Sequence, residues 1–387
     1  MLIARHLTPH LHQLLSYFPI VSLTGPRQAG KTTLLRFLFP DFEYVSLENP
    51  DNRAFAQNDP NGFLDRYDNR TIFDEAQRVP ELFSYLQTKV DLSEQKGQYI
   101  LSGSQNFLLL QSINQSLAGR VGLLRLMPLT YTELKAANVH QSSWEETVYR
   151  GSYPRIYDDQ IPSNIFYPNY VETYLRRDVN EFIKTEDMQQ FERFLRLCAA
   201  FAGQLVNYSS MANQLGVRTA TIKKWLSILE SSYILFQVAP YHRNFSKRIV
   251  KSSKLYFYDT GLVCYLLDMQ SATDVAYYYQ KGALFENWVI AELHKLRWHS
   301  NQRPNYYFWQ DSNKNEIDLL WETAQQLTIL EVKASKTILP KHLKNLLKMK
   351  VQVENQIKGS YLVYGGESER VQQEIAIKNW KNLDTIS

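Results

Sequence analysis

The feature that most restricts the fold is the run Gly25-Pro26-Arg27-Gln28-Ala29-Gly30-Lys31-Thr32-Thr33. Its first eight residues satisfy the spacing G-x-x-x-x-G-K-[ST], in which backbone N–H groups close around a polyphosphate. The turn needs a strand before it and a helix after it, because the helix N-terminus adds its positive dipole end to the cradle. Both flanks are present, with the apolar run Ile20–Thr24 ahead of the turn and a helical stretch at Lys31–Phe39 behind it. Further strand-like runs at Tyr44–Leu47, Thr71–Phe73, Tyr99–Ser102 and Val121–Leu126 alternate with helical segments such as Pro80–Val90. Strands alternating with helices predict an α/β fold with a five-stranded parallel sheet covered on both faces.

Chemistry at this site follows from the residue types. Lys31 is expected to reach the β- and γ-phosphates and Thr32 to ligate Mg²⁺, so ATP and Mg²⁺ are the expected cofactors. The apolar run Thr71-Ile72-Phe73 ends in Asp74-Glu75. There Asp74 would bind Mg²⁺ and Glu75 would polarise the attacking water. Gly25, Pro26, Arg27, Gln28, Ala29, Gly30 and Thr33 complete the expected nucleotide contacts. After the next strand, Ser104, preferred to Ser102, is the candidate sensor of the γ-phosphate. Arg120 in Leu117-Ala118-Gly119-Arg120 is the candidate arginine finger, acting in a neighbouring subunit if the protein forms a homo-oligomer.

At 387 residues the chain exceeds the ~100–200 residues of one domain, which predicts two or three. Hydrophobic residues at 44% and charged residues at 21% match soluble globular proteins and argue against long disorder. A net charge of +4 excludes a polycation, so any nucleic-acid surface has to be local. Cys198 and Cys264, the two cysteines of the chain, lack a nearby His/Cys cluster and read as buried thiols rather than a disulfide or zinc framework. No apolar run approaches the ~20 residues that span a bilayer, so the expectation is a cytoplasmic protein without a membrane partner.

The predicted organisation is a nucleotide-binding domain at 1–135, a helical connector at 136–189, a winged-helix module at 190–274 and a small mixed α/β domain at 275–387. Helices at Phe191–Ala202, Ser209–Leu215 and Thr219–Ser231 precede apolar runs at Ile234–Val238 and Leu255–Tyr258, the order of a winged helix. No acidic residue lies between Glu230 and Asp259, while Arg243, Lys247, Arg248, Lys251 and Lys254 alternate with aromatic residues. With Arg218, Lys223 and Lys224 at the start of the third helix, this region is the candidate DNA-binding surface. The same module would equally serve to dock a protein partner.

Several of these motifs, Gly25 to Thr33, Phe73-Asp74-Glu75-Ala76-Gln77, Leu101-Ser102-Gly103-Ser104-Gln105, Ala118-Gly119-Arg120 and Tyr174-Leu175-Arg176-Arg177-Asp178-Val179, together resemble a large prokaryotic family. That family joins an AAA-type ATPase domain to a carboxy-terminal domain of unknown function of the 4143 type, and the resemblance covers nearly the whole chain. It implies ATP hydrolysis and leaves the biological role open.

The last domain carries a second set: Glu286 on Gly282–Trp298, which reads as a strong amphipathic helix, Asp318 in Glu316-Ile317-Asp318, and Glu331 with Lys333 in Leu330-Glu331-Val332-Lys333. Glu331 and Lys333 share one face of a strand, since strand side chains alternate with period two. This set resembles the PD-(D/E)xK nuclease superfamily, a restriction-nuclease-like fold. The resemblance implies that Glu286, Asp318 and Glu331 hold Mg²⁺ and that Lys333 steadies charge on an attacked phosphodiester. The alternative is a silent nuclease fold on an ATP-dependent switch or remodelling protein.

Overall fold

Five consecutive buried residues at Ile20–Thr24 (β1) belong in the middle of a sheet covered on both faces. Around β1 stand Glu43–Ser46 (β2), Thr71–Asp74 (β3), Tyr99–Gly103 (β4) and Val121–Arg125 (β5), in the order β2-β3-β4-β1-β5. Every pairing is parallel. β3 and β4 are buried throughout, while β2 and β5 at the edges keep exposed positions. Alternation divides the core into two layers. Ile20, Phe73, Tyr99 and Leu101 pack on one side with Phe63 and Leu86. Val21, Leu23, Ile72 and Ile100 pack on the other with Leu34 and Leu35 from the helix that follows the phosphate turn.

This computed structural model describes residues 3–93, 95–104, 113, 115–175, 183, 188–241, 252–353 and 356–386, with backbone alone at 174 and 175. The chain divides into two compact units. The first is 1–129 with 231–233 and 297–302, and the second is 130–230, 234–296 and 303–387. No helix among the described residues is long and apolar enough to cross a membrane.

In the second unit, short helices at Trp144–Arg150, Pro154–Asp158 and Ser163–Tyr170 occupy the segment read as a connector. Helices at Met188–Ala200, Tyr208–Leu215 and Thr219–Ser231 then lead to Leu235–Pro240 (β6) and Lys254–Phe257 (β7), paired antiparallel from Leu235–Phe257 to Val238–Lys254. Six further strands follow: Tyr307–Gln310 (β8), Glu316–Thr323 (β9), Gln326–Lys333 (β10), Ile357–Tyr364 (β11), Arg370–Gln372 (β12) and Ile375–Asn379 (β13). Together with β6 and β7 they form one eight-stranded sheet in the order β12-β13-β11-β10-β9-β8-β6-β7. β6 joins β8 in parallel at Ala239 and Pro240, so the hairpin read as part of a separate module is continuous with the terminal sheet.

The helix Lys281–His299 differs from its expected amphipathic character. From Asn287 to Lys295 every residue is buried, including Asn287, Glu292, His294 and Lys295. Asn287, Glu292 and Lys295 find partners inside the protein, as burial demands, while His294 Nε2 has no hydrogen-bond partner among the described residues. Asn287 accepts from Phe257 N and donates to Phe257 O, both at 2.8 Å, and Glu292 pairs with Lys295 and accepts from Tyr131 N at 2.8 Å. Helical periodicity over this stretch therefore records pairing rather than a solvated face. Cys198 and Cys264 are buried, as expected, and burial pushes both thiols up.

Gly151, in the segment read as a connector, has φ of 76°, and an added Cβ would stand 1.8 Å from the Tyr167 hydroxyl and 2.8 Å from Asp259 Oδ1. Those atoms are bonded to each other at 2.6 Å and neither can simply swing away. Gly151→Ala is expected to destabilise the second unit by about 3 kcal/mol or more, through overpacking and a disfavoured φ. Thermal and urea melts followed by circular dichroism would measure it; an unchanged midpoint would mean that the Tyr167–Asp259 contact is dispensable.

Candidate functional site

Because β4 lies between β1 and β3, the carboxyl ends of these three strands meet where an open parallel sheet binds its ligands. Gly25 leaves β1 with φ of 151°, and a Cβ there would lie 2.0 Å from Leu126 O, so any other residue would push the turn away from the neighbouring chain. Gly30, in the left-handed region, starts the helix Lys31–Leu38. The buried Lys31 ammonium donates to Gly25 O at 2.7 Å and Pro26 O at 2.9 Å, lying across the turn it serves. Arg5, which sequence reasoning missed, braces the turn by donating to Ala29 O at 2.9 Å and Met127 O at 2.5 Å. Thr33 is exposed, in contrast to its neighbour Thr32.

Strand register puts Asp74 opposite Ser102. The Asp74 carboxylate accepts from Thr32 Oγ1 at 2.9 Å, Tyr44 Oη at 2.5 Å, Glu75 N at 3.2 Å and the Ser102 hydroxyl. Tyr44 was not read as a site residue; burial and then the Asp74 charge hold its phenol well above its ordinary range. Thr32 and Asp74 side by side form the hard oxygen pair that suits Mg²⁺.

Glu75 stands at φ 54° and ψ 44°, in the left-handed region costly for a non-glycine residue. Its Oε2 accepts from Ser104 Oγ at 3.2 Å and from the Gln77 amide, and its Oε1 lies 3.7 Å from Arg27 Nη1. The two serines at the end of β4 thus serve different acids, Ser102 serving Asp74 and Ser104 serving Glu75. Arg120 makes a bidentate pair with Asp91 at 2.6 and 2.8 Å on an exposed face.

In the second unit, Arg218, Lys223 and Lys224 are exposed around the start of Thr219–Ser231. Tyr208–Leu215 precedes that helix, with Gly216 in the left-handed region between the two. Arg243, Lys247, Arg248 and Lys251 lie outside the described residues, as do Gln105 and the Arg176-Arg177-Asp178-Val179 run.

Three strands and one helix converge on the carboxylates of the terminal sheet. Val332 N donates to Asp318 Oδ2 at 2.7 Å, and Lys333 Nζ sits 2.6 Å from Glu331 Oε2 and 3.5 Å from Asp318 Oδ2. Asn345 donates to Glu331 Oε1 at 3.4 Å. Glu286 accepts from Lys254 Nζ at 2.9 Å and Tyr256 Oη at 2.7 Å, and Lys254 also pairs with Glu316. Oxygens of Glu286, Glu316 and Asp318 lie within 4.8 Å of one another. Asp318, Glu331 and Lys333 are therefore together, Glu286 reaches Asp318, and Glu316 and Lys254 are unforeseen members.

Burial, opposed by Lys254 and reinforced by Asp318, pushes the Glu286 carboxyl up to about 7. Burial and then Asp318 push Glu331 up. Asp318 is held low despite its burial by the charges of Lys333 and Lys254. Of these three acids one is held low and two are pushed up, the pattern of carboxylates crowded at one point.

Three family models match the chain: an AAA domain over residues 17–135, a domain of unknown function (DUF8612) over 141–273 and a domain of unknown function (DUF4143) over 281–382. The uncharacterized proteins Rv2008c of Mycobacterium tuberculosis and Mb2031c of Mycobacterium bovis are each 30% identical over 339 residues, spanning 86% of this chain and 74% of theirs. Among solved structures, a Walker-type ATPase of Pyrococcus abyssi aligns with a TM-score of 0.43 and 13% identity, over 69% of this chain and 96% of that one.

Proposed function

The chain belongs to the family of the mycobacterial proteins Rv2008c and Mb2031c, and from that premise we propose that it hydrolyses Mg-ATP to control how its second unit engages DNA. The observation that carries the ATPase reading is the Thr32–Asp74 pair at 2.9 Å, with Glu75 next in the chain and Lys31 in the turn above. Lys31 binds the β- and γ-phosphates, backbone from Gly25 to Thr32 cradles them, and Thr32 with Asp74 would hold the metal. Mg²⁺, when bound, neutralises the phosphate charge that develops in transfer. Glu75 orients the attacking water and Ser104 steadies Glu75. Arg120 would complete a neighbour's site in an oligomer only by exchanging Asp91 for phosphate, so solution mass and turnover should be measured together, with and without ATP.

For the second unit the supporting features are the exposed Arg218, Lys223 and Lys224 on a helix preceded by a glycine-containing turn and another helix. The basic run at Arg243, Lys247, Arg248 and Lys251 adds phosphate contacts on this reading. Changing Lys247, Arg248 and Lys251 together to Ala is expected to weaken DNA binding by about tenfold or more at low salt on every sequence and to flatten its salt dependence. ATP turnover without DNA should survive. Fluorescence anisotropy across a salt series measures this, and an unchanged slope would move the reading to a docked protein partner. DNA or a protein extract should then differ in which one stimulates ATP turnover.

The terminal cluster supports a metal-dependent nuclease reading because oxygens of Glu286, Glu316 and Asp318 lie within 4.8 Å of one another, a spacing that suits one divalent cation. On this reading Glu286, Asp318 and Glu331 ligate the metal, protons on the raised acids leave as it enters, and Lys333 faces the phosphodiester. A silent fold is the second reading. Lys254 and Lys333 favour it, since each pairs with two of the acids.

A further inference from the structure

We infer that Arg27 is a positioning residue that restrains Glu75, so that the phosphate turn and the water-orienting carboxylate share one guanidinium. This rests on the ATPase reading above. Arg27 is the third residue of the turn, yet its Nη1 faces Glu75 Oε1 at 3.7 Å, with both side chains nearly buried. The other oxygen of Glu75 is taken by Ser104 and Gln77. Both carboxylate oxygens are thus engaged, on a backbone already in the left-handed region. A carboxylate held by a cation turns less freely toward water.

The Arg27 side chain needs no contact with the reacting atoms to do this. Its effect passes through Glu75, and removing Glu75 should remove it.

The test is steady-state ATP turnover of the full chain, comparing wild type with Arg27→Met, Arg27→Lys and the double variant Arg27→Met with Glu75→Gln. Freed of its restraint, Arg27→Met should raise kcat about fivefold, the size expected for one weak ion pair. Arg27→Lys should bring the rate back toward wild type, because this monodentate pair needs a charge rather than a fork. The double variant should be as slow as Glu75→Gln alone. Gln77→Ala, which removes a second tie, should raise kcat in the same direction and serves if Arg27→Met does not fold.

An active wild type with Arg27→Met and Gln77→Ala at or below its rate overturns the inference alone, as does a rise that persists without Glu75. Wild type and both variants that bind Mg-ATP yet never hydrolyse it overturn the ATPase reading and this inference with it. A silent wild type beside an active Arg27→Met supports both.

Discussion

Lys31→Ala is expected to abolish Mg-ATP binding, whereas Glu75→Gln should bind as wild type does and lose turnover. The Lys31 ammonium is buried and lies 2.7 and 2.9 Å from two carbonyls of the turn, so it is already aimed into the space a polyphosphate would fill. Its loss leaves carbonyl dipoles facing phosphate charge without their cation, and affinity should fall at least about 100-fold. Calorimetry with a slowly hydrolysed ATP analogue reads this directly. Glu75→Gln keeps the size and one oxygen of the side chain, so Ser104 retains an acceptor, while the pair with Arg27 loses its charge. Only the negative charge that orients water is lost, which should cost about 100- to 1,000-fold in kcat. Phosphate release by the two variants beside nucleotide binding separates the roles; equal hydrolysis by wild type and Glu75→Gln would remove Glu75 from the mechanism.

Much of this site was legible because its information is local. A nine-residue turn carries its own geometry, and β1, β3 and β4 are short, mostly apolar runs that end where the motifs begin. What escaped was partnership across the chain. Nothing near Tyr44 marks it as a ligand of Asp74 30 residues away, and nothing near Arg5 marks it as the brace of Ala29. In the second unit the signal existed but was incompletely used. Glu316 and Asp318 are two apart on β9, as are Lys254 and Tyr256 on β7, so each pair shares a strand face just as Glu331 and Lys333 do. Extending the period-two argument to those strands would have flagged Glu316 and Lys254. β12 has three residues with exposed positions, and no hydrophobic pattern that short stands out from a loop.

For the terminal cluster the expected result is that purified protein with Mg²⁺ or Mn²⁺ nicks or cuts some form of DNA and that Asp318→Ala does not. Asp318 is the acid held low, and its Oδ2 accepts from Val332 N and faces the Lys333 ammonium. Replacing it removes the charge most available to a divalent ion, and cutting should fall at least about 1,000-fold if the metal activates the nucleophile. ATP turnover should be intact, because Lys31, Thr32, Asp74 and Glu75 belong to the first unit and the cluster to the second. Lys333→Ala should also stop cutting while sparing metal binding, since the ammonium faces the developing phosphate charge and gives no ligand. Manganese binding followed by electron paramagnetic resonance on nucleotide-free protein distinguishes the two variants. Lys254 makes the outcome sharper: a metal entering beside Glu286 and Glu316 has to displace a lysine that already pairs with both. Wild type and Asp318→Ala must be purified identically, so that a contaminating nuclease cuts in both. Equal cutting by the two, or none by either with ATP and both metals across single-stranded, duplex and branched DNA, would make the domain a binding scaffold.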